Sequence, residues 1–384
     1  MKRKNLHVHT IEAMRDQQFL YNGKPATQVF QSEGFVPCWE DQRLLSPSTC
    51  SSLRSHILEE LHDQIQQEAA TRADDETRDF GGEHSSSDRF SCIRQRINRW
   101  DLKLNDTNVV RDALREVLNG KVPTNDSLVD TQSKSPNHND TFLHRVMAPL
   151  LDVDVDAHGE EESENIDENL MPDQQPIAPR KPTLAEDVIL VELGALISDP
   201  DAPDQEWHPD SVHLNARESH ILGESFSENC DATNNNEDSC LSAAQEGVVV
   251  CCFITLQPTP ESLGPTQILP RTQTCDFHGC ALVNFPPKGI LPYSDMGSLT
   301  DRKVPGYQNT GEGCLMDTRV YHRGGANKGL DSMFRQKECQ DIPNPERRVV
   351  FYFSFRSRLA KFPGGFLYTV MEHLKDKQLQ SFLE

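Results

Sequence analysis

In QEWHPDSVHL, residues 205–214, a histidine and an aspartate stand two places apart around a proline: His208, Pro209, Asp210. On an extended backbone, side chains at i and i+2 leave from one face, so an imidazole and a carboxylate converge on one point. Pro209 stiffens the segment and removes an N–H. A third ligand has to come from elsewhere. Of the 14 histidines, His322 in GCLMDTRVYHRGGAN is the best placed, because it ends an apolar run and precedes a Gly-Gly turn. His213 and His220 lie in polar sequence with no strand to fix them. Two imidazoles and one carboxylate on one face of a divalent metal, with adjacent positions left open, form the facial triad of non-haem Fe(II) sites. Taken singly, a strand-end histidine is an ordinary surface residue, and only the set of three makes a chemical pattern.

Positioning such a set requires a rigid frame, and the later half of the chain supplies one. VILVELGALIS leads into the His-Pro-Asp segment through the turn DPDAPD. EGVVVCCFITLQ, GCALVNF, GCLMDTRVYH and RRVVFYFSF are short apolar runs bounded by Gly, Pro and Asp. Their spacing predicts the strands of an antiparallel sandwich or barrel rather than βαβ units. Upstream, FQSEGFVPCWEDQRLLSPSTCSSLRSHILEELHDQI predicts a strand or turn, then a helix capped by Ser48 or Thr49 with Leu53, Ile57, Leu58 and Leu61 at helical spacing. A strand is expected at Trp100–Leu104. NVVRDALREVLNGK is an amphipathic helix, with Val109, Val110, Leu114, Val117 and Leu118 on one face and Gly120 closing it. Helices first and strands later give an α+β order, mainly β.

Residues 1–29 are expected to form a mobile tail, 30–358 a single domain, and 359–384 a C-terminal segment. Two polar stretches, at about 152–183 and 216–245, interrupt the domain as solvated insertions.

Composition excludes several functions. The chain has 384 residues, 36% of them hydrophobic, and a formal net charge of −22. That acidity argues against nucleic acid, which needs a basic footprint. No apolar run approaches the ~20 residues needed to cross a bilayer. The basic start MKRKNLHVHTIEAMRDQ lacks an apolar segment of the secretory kind, and QSFLE is no organellar address. A cytoplasmic protein with a small-molecule partner is the expectation. Eleven scattered cysteines are expected to be reduced thiols. Cys275 and Cys280 bracket His278, but no second pair has the spacing of a zinc finger.

As an ordered set, several stretches resemble the phytanoyl-CoA dioxygenase family of Fe(II)- and 2-oxoglutarate-dependent oxygenases. They are FQSEGFVPCWEDQRLLSPSTCSSLRSHI, VELGALISDPDAPDQEWHPD, CFITLQPTPESLGPTQILPRTQT, GCLMDTRVYHRGGANKG and RRVVFYFSF. The resemblance runs from about Phe30 to Ser357. It implies a double-stranded β-helix, a cupin-like jelly roll with supporting N-terminal helices. It further implies Fe(II) on His208, Asp210 and His322, with 2-oxoglutarate and O₂ as co-reactants.

The family also needs a late-strand arginine for the far carboxylate of 2-oxoglutarate. Arg335 precedes QKECQDIPNPE, which cannot be a strand. Alternation puts Arg347 with Val349, Phe351, Phe353 and Phe355, an apolar face. Arg348 falls with Val350, Tyr352, Ser354 and Arg356. Arg348 is therefore the expected anchor, with Arg347 in reserve. Thr266 or Tyr352 would add a hydroxyl, and Gln205 or Trp207 would line the pocket.

Two features depart from the family. The interval from His322 to Arg348 is long, and Thr272-Gln273 stands where a Ser/Thr-His pair is usual. The implied reaction is hydroxylation, or a related oxidation, of an unactivated C–H bond with release of succinate and CO₂. A non-catalytic metal-binding jelly roll and a zinc hydrolase are the alternatives.

Overall fold

A computed structural model describes residues 26–38, 43–75, 98–120, 151, 187–213, 216, 248–284, 301–359 and 369–382. Nine strands fall among them: β1 (Phe35–Cys38), β2 (Arg99–Lys103), β3 (Val188–Ser198), β4 (Val249–Thr255), β5 (Thr266–Ile268), β6 (Val304–Pro305), β7 (Gly313–Asp317), β8 (His322–Gly324) and β9 (Arg348–Ser357). All their pairings are antiparallel. Six strands form one sheet in the order β1-β7-β4-β9-β3-β2, and three form a second, β6-β5-β8.

Period-two alternation decides what each face of the large sheet meets. Along β9, Val349, Phe351, Phe353 and Phe355 enter one core with Leu53, Ile57 and Leu61 of a helix over Pro47–Asp75 (α2). Val110, Ala113, Leu114, Val117 and Leu118 of a helix over Asn108–Asn119 (α3) join the same core. The other face sends Val350 and Tyr352 into a second core with Cys251, Phe253, Cys314 and Met316. Ile268 of β5 and Val304 of β6 meet them there, so the small sheet lies over this face. Helices thus back one face of the large sheet, and the small sheet covers the other.

The helix expected across Leu53–Leu61 and the one expected at 108–119 are present, as are most of the strands, with informative differences. GCLMDTRVYH is broken by a turn into β7 and the start of β8, so His322 opens a strand rather than ending one. GCALVN of the run GCALVNF belongs to a helix, Cys275–Asn284 (called α4 below), and not to a strand. Phe277, His278, Cys280, Ala281 and Leu282 are all buried, so no polar face marks the period, and a short apolar run without periodicity fits either element. Thr274 decides it, its hydroxyl accepting from Phe277 N–H at 3.3 Å as a helix cap. Likewise α2 starts one turn early: Pro47 takes the first helical position and Ser46 Oγ accepts from Thr49 N–H at 3.3 Å. Neither Ser48 nor Thr49 is the cap. A first helix, α1 (Ala26–Glu33), extends into the tail expected over 1–29.

The C-terminal segment packs on the frame, with Leu374, Leu379 and Phe382 in the helix-side core. Both expected polar insertions fall outside the described residues, apart from Ala216. Among the described residues no helix is long and apolar enough to cross a membrane.

Candidate active site

β8 is three residues long, yet both its edges are paired. On one side β5 aligns Ile268 with His322 and Thr266 with Gly324. On the other, His208 and His322 exchange backbone hydrogen bonds of 3.1 and 3.0 Å. Gln205, three residues before His208, does the same work, its N–H donating to Gly324 O at 3.0 Å and its side-chain oxygen accepting from Gly324 N–H at 2.7 Å. Residues opposite one another in an antiparallel ladder point to the same face. Two histidines 114 positions apart are therefore forced together, with ring centroids 4.8 Å apart.

Asp210 completes the set. Its Oδ2 lies 3.5 Å from His322 Nε2, and the ligand atoms of His208, Asp210 and His322 all fall within 4.8 Å of one another. Among the described residues this is the one group of three or more His, Cys, Asp or Glu side chains so arranged. The turn before β8 holds the carboxylate in place. Thr318 O accepts from Asp210 N–H at 2.9 Å and from Ser211 N–H at 3.1 Å, while the Ser211 and Thr318 hydroxyls meet at 2.8 Å.

Both imidazoles are fixed in one tautomer by a backbone carbonyl. His208 Nδ1 lies 2.7 Å from Glu206 O and His322 Nδ1 lies 3.0 Å from Val320 O. A carbonyl can only accept, so each Nδ1 carries the proton and each Nε2 offers its lone pair to the shared point. Burial pushes His322 down to about 4, so it is neutral and competent to ligate at neutral pH. Desolvation pushes the Asp210 carboxyl up to about 6 in the metal-free chain, with His208 opposing the shift. Behind it Glu192 is buried and held well above the usual carboxylate range by burial, then by Asp210, which keeps it protonated and neutral.

Arg348, the first residue of β9, is 2% exposed. Its Nη1 reaches Leu263 O at 3.4 Å and its Nε has no hydrogen-bond partner. Desolvation lowers its pKa, with Tyr307 acting against the shift. A buried guanidinium left so poorly satisfied is costly unless an anion completes it. Polar groups crowd around it where Gly324 has no side chain. A Cβ added to Gly324 would stand 3.4 Å from Arg348 Nη2, 2.8 Å from Arg99 Nη1 and 2.7 Å from Gln205 Oε1. Thr266, aligned with Gly324, shares a 2.7 Å hydrogen bond with the Tyr307 hydroxyl. Gly324 follows His322 by two residues on the same face, so the groups around Arg348 adjoin the cluster of His208, Asp210 and His322.

Of the residues picked out in the sequence, His208, Asp210, His322, Arg348, Thr266 and Gln205 meet here. Arg347 does not, because it is bound to Asp199 at 2.8 Å through Nη2 and lies over the Trp100 ring. Tyr352 is four residues along β9 from Arg348, and its hydroxyl donates to Asp101 at 2.6 Å. Trp207 packs with Leu269, Phe277 and Tyr321 under the Arg323 guanidinium. Tyr307 and Arg99 were missed. Tyr307 follows a two-residue strand too short to show a period, and nothing local in RWDLK says that Arg99 turns toward Gly324.

α4 meets the same turn through His278, which is 1% exposed. Its Nδ1 accepts from His213 N–H at 3.1 Å and its Nε2 donates to Arg319 O at 2.8 Å. Burial pushes it down from 6.5 to about 4, the bond to Arg319 O opposing. The unfolded chain takes up this proton near 6.5 and the folded protein only near 4. Stability therefore falls as pH drops through that window, by about 3 kcal/mol from this residue. Denaturant titrations across the window should show the loss, and His278→Gln, which has no proton to take up, should remove this residue's share of it, leaving that of His322, which burial also pushes down to about 4.

No protein-family model matches the sequence, and no curated protein matches it. Solved structures similar to the chain include AviO1 from Streptomyces viridochromogenes Tue57, at 14% identity over 88% of this chain and 97% of that one, with a TM-score of 0.35. The non-heme alpha ketoglutarate dependent carbocyclase SnoK from nogalamycin biosynthesis is 12% identical over 87% and 84%, with a TM-score of 0.38. HygX from Streptomyces hygroscopicus, with nickel and 2-oxoglutarate bound, is 13% identical over 85% and 84%, with a TM-score of 0.36. Likeness at this level leaves the functional argument to the side chains themselves.

Proposed function

We propose that this chain is an Fe(II)- and 2-oxoglutarate-dependent dioxygenase of the phytanoyl-CoA dioxygenase kind. It oxidises an unactivated C–H bond of a small organic substrate, most simply to an alcohol, and releases succinate and CO₂. The observation that carries this is the convergence of two Nε2 lone pairs and one carboxylate oxygen within 4.8 Å. That donor set suits Fe(II) and leaves coordination positions for other ligands. Bound there, Fe(II) would relay electrons to O₂, two of the four coming from 2-oxoglutarate as it loses CO₂ and two from the substrate C–H bond.

The chain's own residues do the rest. The carbonyls of Glu206 and Val320 keep the protons on Nδ1. Asp210 supplies negative charge and fills the position a halide would need, which favours hydroxylation over halogenation. Arg348 binds the far carboxylate of 2-oxoglutarate through the donors left unmet in the protein. The paired hydroxyls of Thr266 and Tyr307 stand beside it as further donors. The two stacked sheets would be the walls of a double-stranded β-helix.

Succinate release with Fe(II), 2-oxoglutarate and O₂, compared with metal-free protein, tests this. Release that needs both additions supports it. Protein that binds metal yet forms no succinate with any substrate panel favours a non-catalytic jelly roll. A narrower expectation concerns the groups around Arg348: Gly324→Ala would push a methyl against Gln205, Arg99 and Arg348. Overpacking of this kind costs about 1–3 kcal/mol, so KM for 2-oxoglutarate should rise about tenfold or more. Metal affinity should change far less.

A further inference from the structure

His208 and His322 are locked to one another by direct backbone pairing, but Asp210 is not part of that ladder. It sits where the chain bends away after Pro209, at 210–211. Its distance from His322 therefore depends on how the segment after it is tied to the turn that precedes β8. One tie is Thr318, which takes the N–H groups of Asp210 and Ser211. The other is the imidazole of His278, which reaches both segments from outside.

His278 touches neither the metal ligands nor the groups around Arg348. Its Nδ1 takes the N–H of His213, three residues after Asp210, and its Nε2 gives its proton to the carbonyl of Arg319, three residues before His322. One accepting and one donating nitrogen select a single neutral tautomer. The ring also stands edge-on to Tyr321, the neighbour of His322, at 5.5 Å and 79°. The turn it grips is stiff in its own right, since the Arg319 guanidinium is bound to Asp317 at 2.6 Å.

We propose that His278 is a positioning residue for the metal site: a neutral imidazole that spans the backbone after Asp210 and the backbone before His322, and thereby sets the separation of those two ligands. The proposal rests on the metal-binding reading above. A hydrogen-bonding group placed one step behind the ligands changes metal affinity through geometry, typically by about 10–100-fold on removal. The requirement is chemical rather than merely spatial. A side chain here must accept at one end and donate at the other across a fixed span. Glutamine can do both, leucine can do neither, and asparagine is too short to reach Arg319 while holding His213.

Co²⁺ serves as the probe, because its visible bands report coordination geometry as well as occupancy. The full chain would be titrated anaerobically as wild type, His208→Ala, His278→Leu, His278→Gln and His278→Asn, with unfolding of the metal-free proteins measured alongside. His278→Leu and His278→Asn should bind Co²⁺ about tenfold or more weakly and with altered bands. His278→Gln should restore Kd and spectrum to near the wild-type values. If His278→Leu does not fold, the contrast between Gln and Asn carries the test. Wild-type Kd and bands in the Leu variant, or equal Kd in Gln and Asn, would overturn the proposal even if the metal site is real. Wild type that takes up no Co²⁺, or His208→Ala that takes it up normally, would overturn the metal reading and this inference with it.

Discussion

Arg348→Gln should leave a protein as stable as the wild type, or more so, that binds 2-oxoglutarate about 100-fold less tightly. The two halves of that expectation have one cause. In the protein alone the guanidinium is buried, with a single 3.4 Å hydrogen bond to Leu263 O and an unmet Nε. A cation held that way costs folding energy, which a neutral side chain of similar length does not. A carboxylate bound to it gains charge-assisted hydrogen bonds of about 1.5–3 kcal/mol each. Losing roughly 3 kcal/mol of them is about two decades in affinity. KM for 2-oxoglutarate and the thermal midpoint, measured on both proteins, check it. A large loss of stability with unchanged KM would mean that Arg348 is a structural cation.

His208→Ala should abolish succinate formation, by on the order of a thousandfold or more, because several kcal/mol of metal-assisted stabilisation goes with the ion. The fold should survive. His208 is only half-buried, and its backbone exchange with His322 needs no side chain. His322→Ala would be a poorer test, since it empties a position 6% exposed beside Phe253. Activity and metal content of His208→Ala, alongside an unchanged unfolding midpoint, check the prediction.

The grouping of His208, Asp210 and His322 was legible because its signals are local: two candidate ligands two places apart, and a third at the junction of an apolar run and Gly324-Gly325. Alternation was not what brought Asp210 in, because the chain bends at 210–211 and the Thr318 carbonyl holds the bend. Alternation along RRVVFYFSF did separate Arg348 from Arg347: Val349 and its partners enter the helix-side core, while Val350 and Tyr352 enter the core between the sheets. What failed were statements that depend on partners distant in sequence. Tyr352 shares a face with Arg348, but Asp101, on β2, claims its hydroxyl. Arg99 approaches Gly324 across 225 positions of sequence. GCALVNF lacked a period because burial on all sides erased the polar face that would have revealed the helix. His278 carried no signal beyond its flanking cysteines, which lacked the spacing of a zinc finger, and its partners are two backbone groups distant in sequence.

Everything depends on His208, Asp210 and His322 acting as one ligand set. The direct measurement is an anaerobic Fe(II) titration of the wild type and of the three single alanine variants, followed calorimetrically. The account predicts one ion per wild-type chain and a severe loss of affinity in every variant, with His322→Ala affected as strongly as His208→Ala. Binding that persists unchanged in any one of the three, or a wild type that takes up no iron, would contradict it.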